Sequence, residues 1–177
     1  MLALWIGLGV VGFLVLVFVV LWVLGKSLPE EHEATVSMHL KAAPQEVFAV
    51  IADVDAQPSW AKGVTRVERL PDRGGHDTWR MFMGRNSFVL ETTVKDPPVL
   101  LTRTVEDDHK MFSGAWTYEL LPGSGGGTTV RLTERGRIPG AIPRAMMKYL
   151  FGHHGTMKGH MAALAGKFGE QAALECS

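Results

Sequence analysis

The residues able to do chemistry are few, and the sharpest is a glutamate set in an apolar pattern. Val130 to Gly136 reads V-R-L-T-E-R-G and alternates as a half-buried strand does. Val130, Leu132 and Glu134 share one parity, so a strand that buries the first two also turns the carboxylate inward. Held between apolar walls, a carboxylate is desolvated, which favours its protonated form and suits a general acid or base. An unpaired buried charge is very costly, so the group must be neutral, paired or at an open end. Three readings stand: a strand end already wet beside Arg135 and Arg137, a structural pair with His154 or an arginine, or direct ligand or proton chemistry.

The histidines give a second acid/base candidate and no metal site. His153 and His154 are neighbours, and on a helix they point about 100° apart, too far to share one ion easily. The H-x-x-x-H spacing of helical zinc sites is absent, and His160 lies too far on to join them. His154 reads as a hydrogen-bonded core or cavity histidine. No G-x-S-x-G nucleophile motif occurs. Glu91 and Glu134, weighed as a glycosidase-type pair, face opposite ways by strand parity. Arg103 shares parity with Leu101 and Val105 in L-L-T-R-T-V. Inward, it would partner Glu134 or an anionic headgroup; with Leu100, Thr102 and Thr104 inward, it is a surface charge. The run Glu106-Asp107-Asp108 reads as a solvated loop. The glycine-rich Pro122–Gly127 joins two strands, whereas phosphate loops enter a helix, so it is a hairpin connection.

Around these groups the pattern builds an apolar wall. Trp79, Met81 and Met83 share one face, as do Phe88, Leu90, Thr92 and Val94. Pairing Leu120 with Val130 sets Tyr118 opposite Leu132 and Trp116 opposite Glu134. Trp60, Leu150 and Met157 complete a lining rich in rings and thioethers, which suits an adaptable apolar pocket. No cofactor is implied.

The positioning elements follow from periodicity and turn chemistry. A first strand carries Ala34, Val36, Met38 and Leu40 inward, and Pro44 opens a short helix to Ala52. Strand-like runs at 64–70, 78–83, 87–94, 99–105, 113–121 and 128–138 are separated by glycine or proline turns, as in an antiparallel meander. From Ile142 to Gln171 one long helix is expected, with Leu150, Met157, Met161, Leu164 and Phe168 on one stripe. Its opposite side carries Gly155, Gly159 and Gly166, implying close packing there or a helix held straight by the sheet.

Ahead of this domain, Leu2 to Gly25 holds no charged or strongly polar side chain. As a helix it spans roughly 36 Å, enough to cross a hydrocarbon core of about 30 Å. Trp5 and Trp22 sit near its ends, as interfacial indoles do. No basic residue precedes it and no A-x-A-like cleavage site follows, which argues for a retained anchor over a signal peptide. The expected organisation is a transmembrane helix (2–25), a linker (26–32), one domain (33–171) and a tail (172–177). That makes a single-pass protein of the cell (inner) membrane, with Lys26 favouring a cytoplasmic domain. Among 177 residues the net charge is zero and no basic block occurs, which excludes a nucleic-acid surface. The single cysteine, Cys176, permits no internal disulfide.

Several stretches carry a family resemblance: A-P-Q-E-V-F-A-V-I-A-D-V (43–54) with Trp60 beyond, S-G-A-W-T-Y-E-L (113–120), L-T-E-R-G (132–136) and F-G-H-H-G-T-M (151–157). In these, the chain resembles the SRPBCC superfamily of START-like, helix-grip proteins, which includes polyketide cyclases, lipid-transfer domains and plant pathogenesis-related allergens. The resemblance covers about Glu33 to Glu170. It implies an α+β fold, a curved antiparallel sheet around a long C-terminal helix with an elongated cavity between. It also implies binding of an apolar small molecule such as a lipid, quinone, isoprenoid or polyketide. Two alternatives stay open: a cyclase or dehydratase using Glu134 or His154 as acid/base, and a membrane adaptor with a filled core. Fold alone does not choose among them.

Overall fold

The apolar N-terminal run folds as one helix, α1 (Leu2–Ser27), in a computed structural model that describes residues 2–123 and 125–177, with side chains from Trp5 onward. Trp5–Ser27 is long and apolar enough to cross a membrane. Phe13, Leu16 and Phe18 are all more than half exposed, so this is not a core helix of the domain.

The chain then enters β1 (Glu31–Leu40), whose alternation buries Ala34, Val36, Met38 and Leu40. Helix α2 (Pro44–Ala52) starts on Pro44, and the Glu46 carboxylate accepts the free N–H of Ala43 at 3.0 Å. A 3-10 turn at Gln57–Ser59 leads into the meander β2 (Val64–Arg73), β3 (His76–Met83), β4 (Asn86–Asp96), β5 (Leu100–Asp107), β6 (Ser113–Pro122) and β7 (Thr128–Arg137). With a short C-terminal β8 (Glu175–Cys176), these strands form one antiparallel sheet of order β2-β3-β4-β5-β6-β7-β1-β8. The β6–β7 register pairs Leu120 with Val130, Tyr118 with Leu132 and Trp116 with Glu134, as the pattern predicts.

Three local readings need correction. The expected continuous C-terminal helix is two: α3 (Ala141–Met146) runs into a π turn at Met147–Phe151, and α4 (Gly155–Lys167) follows. Gly152, at φ 74° and ψ 149°, cannot continue a helix and adopts a conformation that only glycine takes cheaply. Leu150 therefore leaves the apolar stripe and is 66% exposed, while Met157, Met161 and Leu164 are fully buried. Val94 leaves the face of Leu90 and Thr92, because a bulge between Thr92 and Val94 switches the parity. Lastly, residues 26–32 do not form an irregular linker. α1 reaches Ser27 and β1 starts at Glu31, and the tail adds β8, with Ser177 hydrogen-bonded both ways to Thr35.

The junction with α1 is a packed contact. Gly25 is buried against α3, where an added Cβ would overlap the Ala141 carbonyl. Arg144 of α3 donates from Nε to the Gly25 carbonyl at 3.1 Å, neutralising the helix C-terminus, and pairs with Glu30 at 3.2 Å. Glu30 also takes Arg137 at 2.7 Å, and these bonds hold its carboxyl below its ordinary range. The sealed core lies over β1, β6 and β7, where their inward residues meet Val47, Phe48 and Ile51 of α2 and the buried stripe of α4.

Candidate functional site

Beyond that core, sheet and helix part. A cavity of about 640 Å³ lies between the inner face of β3–β7 and the segment from α3 to α4. Of the expected lining, Met81, Phe88, Leu90, Trp116, Tyr118 and Glu134 border it. Leu132 and Met157 are fully buried in the sealed core. Trp79 packs with Val54, Met81 and Leu90 without bordering the cavity, and the Arg69 guanidinium lies over its ring. Trp60 packs against the core edge, its ring 5.2 Å from that of His160. Leu150 and His154 lie outside. Leu150 follows the π turn to the surface, and the His154 ring sits 3.3 Å from the Ser177 carbonyl beside β8.

The helix side explains the void. Gly155, Thr156 and Gly159 of α4 border the cavity, and a Cβ added at either glycine meets nothing within 4 Å. The glycine face is therefore not a tight packing surface. It withholds side-chain volume where the sheet curls away.

Two polar groups stand in this apolar space. Deep inside, Arg103 is 3% exposed, so the tie in L-L-T-R-T-V falls to Leu101, Arg103 and Val105 inward. Its Nη2 donates to the Ala52 carbonyl at 3.0 Å and its Nε to Thr92 Oγ1 at 3.4 Å. Beside it, the Tyr118 hydroxyl and His160 Nε2 are 3.0 Å apart, with Trp60 and Trp116 against the imidazole. Burial, helped by the Arg103 charge, pushes the His160 pKa down to about 4. The ring is neutral at pH 7, and in the tautomer protonated on Nδ1 its Nε2 accepts the Tyr118 proton. Burial also pushes the Tyr118 hydroxyl well above the ordinary phenol range, so it stays a donor.

Toward the rim, Glu134 does point inward, and its partner is His32 at 3.5 Å, not His154. His32 stacks on His153 with ring centroids 4.1 Å apart. Gly136 makes this fit, because the His32 ring occupies the space its Cβ would take. Burial and the neighbouring His32 hold the His153 pKa below its ordinary value. The exposed members of the lining, among them Met111, Phe112 and Arg137, mark the open side.

His160, His32 and Gln57, the last a buried amide bordering the cavity from the 3-10 turn, were not among the sequence candidates. One signal was present for His160: at 100° per residue it lies about 60° from Met157, on the edge of the buried stripe. Nothing local marks His32, whose role depends on a glycine about a hundred residues later.

The sequence profile described as "Polyketide cyclase / dehydrase and lipid transport" matches residues 31–169. The chain belongs to that family. Solved structures agree on the fold this polyketide cyclase/dehydrase and lipid transport family member adopts. The Zhui aromatase/cyclase from Streptomyces superposes with a TM-score of 0.62 at 17% identity, over 77% of this chain and 92% of that one. Truncated norcoclaurine synthase from Thalictrum flavum gives 0.61 at 10% identity, over 78% and 93%. A conserved protein from Geobacillus kaustophilus gives 0.60 at 13% identity, over 81% and 99%. These likenesses are of fold alone. No curated protein matches the chain. Membership fixes the α+β helix-grip architecture and a hydrophobic-ligand-binding class of cavity.

Proposed function

We propose that this protein holds a hydrophobic small molecule, such as a lipid, quinone, isoprenoid or polyketide, in the sheet–helix cavity and exchanges it with a bilayer in which α1 is anchored. The observation that carries the reading is the cavity itself. About 640 Å³ falls within the roughly 300–1,000 Å³ of small-molecule sites, and its walls are mostly apolar. Its position supports exchange with the membrane. Pro143 and Met147 border the cavity on the very segment whose Ala141 and Arg144 grip the end of α1. Tyr149, Leu150 and Phe151, the next residues, are each more than half exposed, and an apolar rim of this kind suits a membrane interface. A poorly soluble ligand would then pass between bilayer and pocket without a long aqueous path, on the cytoplasmic side if Lys26 sets the orientation.

The test is retention of lipophiles by the full chain. Protein reconstituted in nanodiscs, then analysed by native mass spectrometry, should carry a lipophilic adduct that a cavity-filling Gly159→Phe variant lacks. Wild-type protein with no adduct, or an adduct unchanged in the variant, counts against the reading.

A second reading, cyclase or dehydratase chemistry, is favoured by one observation: a neutral histidine bonded to a buried tyrosine faces the cavity. Such a pair can shuttle a proton in a dry site. With a turnover assay, His160→Gln should abolish reaction while ligand retention survives. Equal loss of both assigns His160 to the wall alone.

A further inference from the structure

Arg103 is a buried cation without a buried anion. Its side chain is almost wholly enclosed, and among the described residues no carboxylate lies within ion-pair distance of it. Asp77, the acidic group whose field reaches it, is already engaged by Arg69 at 2.6 Å. Arginine does not escape by deprotonation, since its guanidinium stays charged in proteins. Enclosing such a charge unpaired is among the costliest arrangements a fold can hold.

The geometry also leaves the group free to act. Of five N–H donors, Nε serves Thr92 and one on Nη2 serves Ala52, leaving three, both Nη1 donors among them. These two bonds fix the plane of the fork from β4 and from the end of α2. The guanidinium borders the cavity, and the Tyr118 hydroxyl beside it is already bonded to His160, so the open donors are those of Arg103. Met81, Leu90, Val105 and Trp116 of the same wall are apolar, and His160 and Gln57 there are neutral. Planar guanidinium and planar oxyanion pair bidentately, and such bonds are stronger where water is excluded.

We propose that Arg103 is the anion site of the cavity, so that the ligand is an amphiphile whose carboxylate head lies against the guanidinium while its apolar body fills the space toward the rim. This rests on the cavity reading above and narrows it to a chemical class. Neutral lipids, sterols and hydrocarbons leave the charge unanswered.

A matched pair of probes tests it. Full-length protein in nanodiscs of zwitterionic lipid is offered equimolar oleate and oleyl alcohol at pH 8, and retained adducts are counted by native mass spectrometry. Wild-type protein should retain oleate over the alcohol by about tenfold or more, the least a charged hydrogen-bond pair gives. Arg103→Gln should level the two, and Arg103→Lys, which keeps the charge and loses the fork, should fall between. Retention of both probes without preference by the wild type overturns the anion site and leaves the cavity reading standing, and so does an Arg103→Gln protein that still prefers oleate. Retention of neither overturns both. The wild-type preference decides the matter even if Arg103→Gln folds poorly.

Discussion

The two halves of the sheet's inner face are built from similar residues and do opposite things. Over β1, β6 and β7, Val36, Leu40, Val130 and Leu132 meet α2 and the stripe of α4 with no space left. Over β3, β4 and β5, Met81, Leu90 and Val105 look across a void toward Gly155 and Gly159 of the same helix. What differs is the partner surface: methionine and leucine on one side of α4, glycine on the other. One helix thus seals half of the fold and leaves the other half open.

That contrast breaks most sharply under truncation. Leu132→Ala in the sealed half removes a fully buried side chain with no room to collapse and should cost about 2–5 kcal/mol. Leu90→Ala should cost less, because it enlarges a space that already exists. Equilibrium urea unfolding of both variants measures the difference, and equal losses would mean that the cavity half is packed as tightly as the core.

Acid should act on the open half next. His160 takes up a proton near pH 4 in the folded chain and near its ordinary 6.5 when unfolded. Above pH 6.5 both states leave it neutral and nothing changes. Between 6.5 and 4 the unfolded chain binds a proton that the folded chain refuses, so stability falls as pH falls and levels off below 4. At about 1.4 kcal/mol per pH unit the loss reaches at most about 3.5 kcal/mol. Arg103 from β5 opposes protonation, and Tyr118 from β6 occupies Nε2, with Trp60 and Trp116 closing the remaining sides. The difference between wild-type and His160→Gln unfolding curves across pH 4–7 isolates this from the other histidines.

Helix α4 offers a smaller effect of opposite sign. A Cβ at Gly159 meets nothing within 4 Å, so Gly159→Ala should stabilise the chain by up to about 1 kcal/mol through helix propensity. A loss of stability would place another surface against that face.

These contrasts also show which features were legible in the sequence. Period-two alternation fixes faces once a strand exists, so the inward turn of Glu134 and its pairing with Trp116 could be read directly. Arg103 could not: L-L-T-R-T-V is apolar on both parities, and only the neighbouring strands decide which one is buried. The break at Gly152 was hidden for a similar reason. A glycine inside a helical pattern is tolerated or terminal according to its backbone angle, and its letter does not state that angle. Moving His154 to β8 and bringing His32 to Glu134 both depend on contacts between segments far apart in the chain, which no local pattern holds.

The smallest effect belongs to the residue with the clearest local signal. Glu134 lies toward the rim, with its side chain 22% exposed and that of His32 15% exposed, and the 3.5 Å between them is a long contact. A contact at the limit of hydrogen-bond distance contributes little, so Glu134→Gln, which keeps shape and hydrogen bonding, should change stability by less than about 1 kcal/mol. Ligand retention should stay near the wild-type level, because the oxyanion is assigned to Arg103 and Trp116 stands between the two groups in the strand register. A large loss of retention in Glu134→Gln, with Arg103→Gln silent, would reverse the roles of the two groups. It would make the rim the recognition site and leave the buried guanidinium as a brace between α2 and β4.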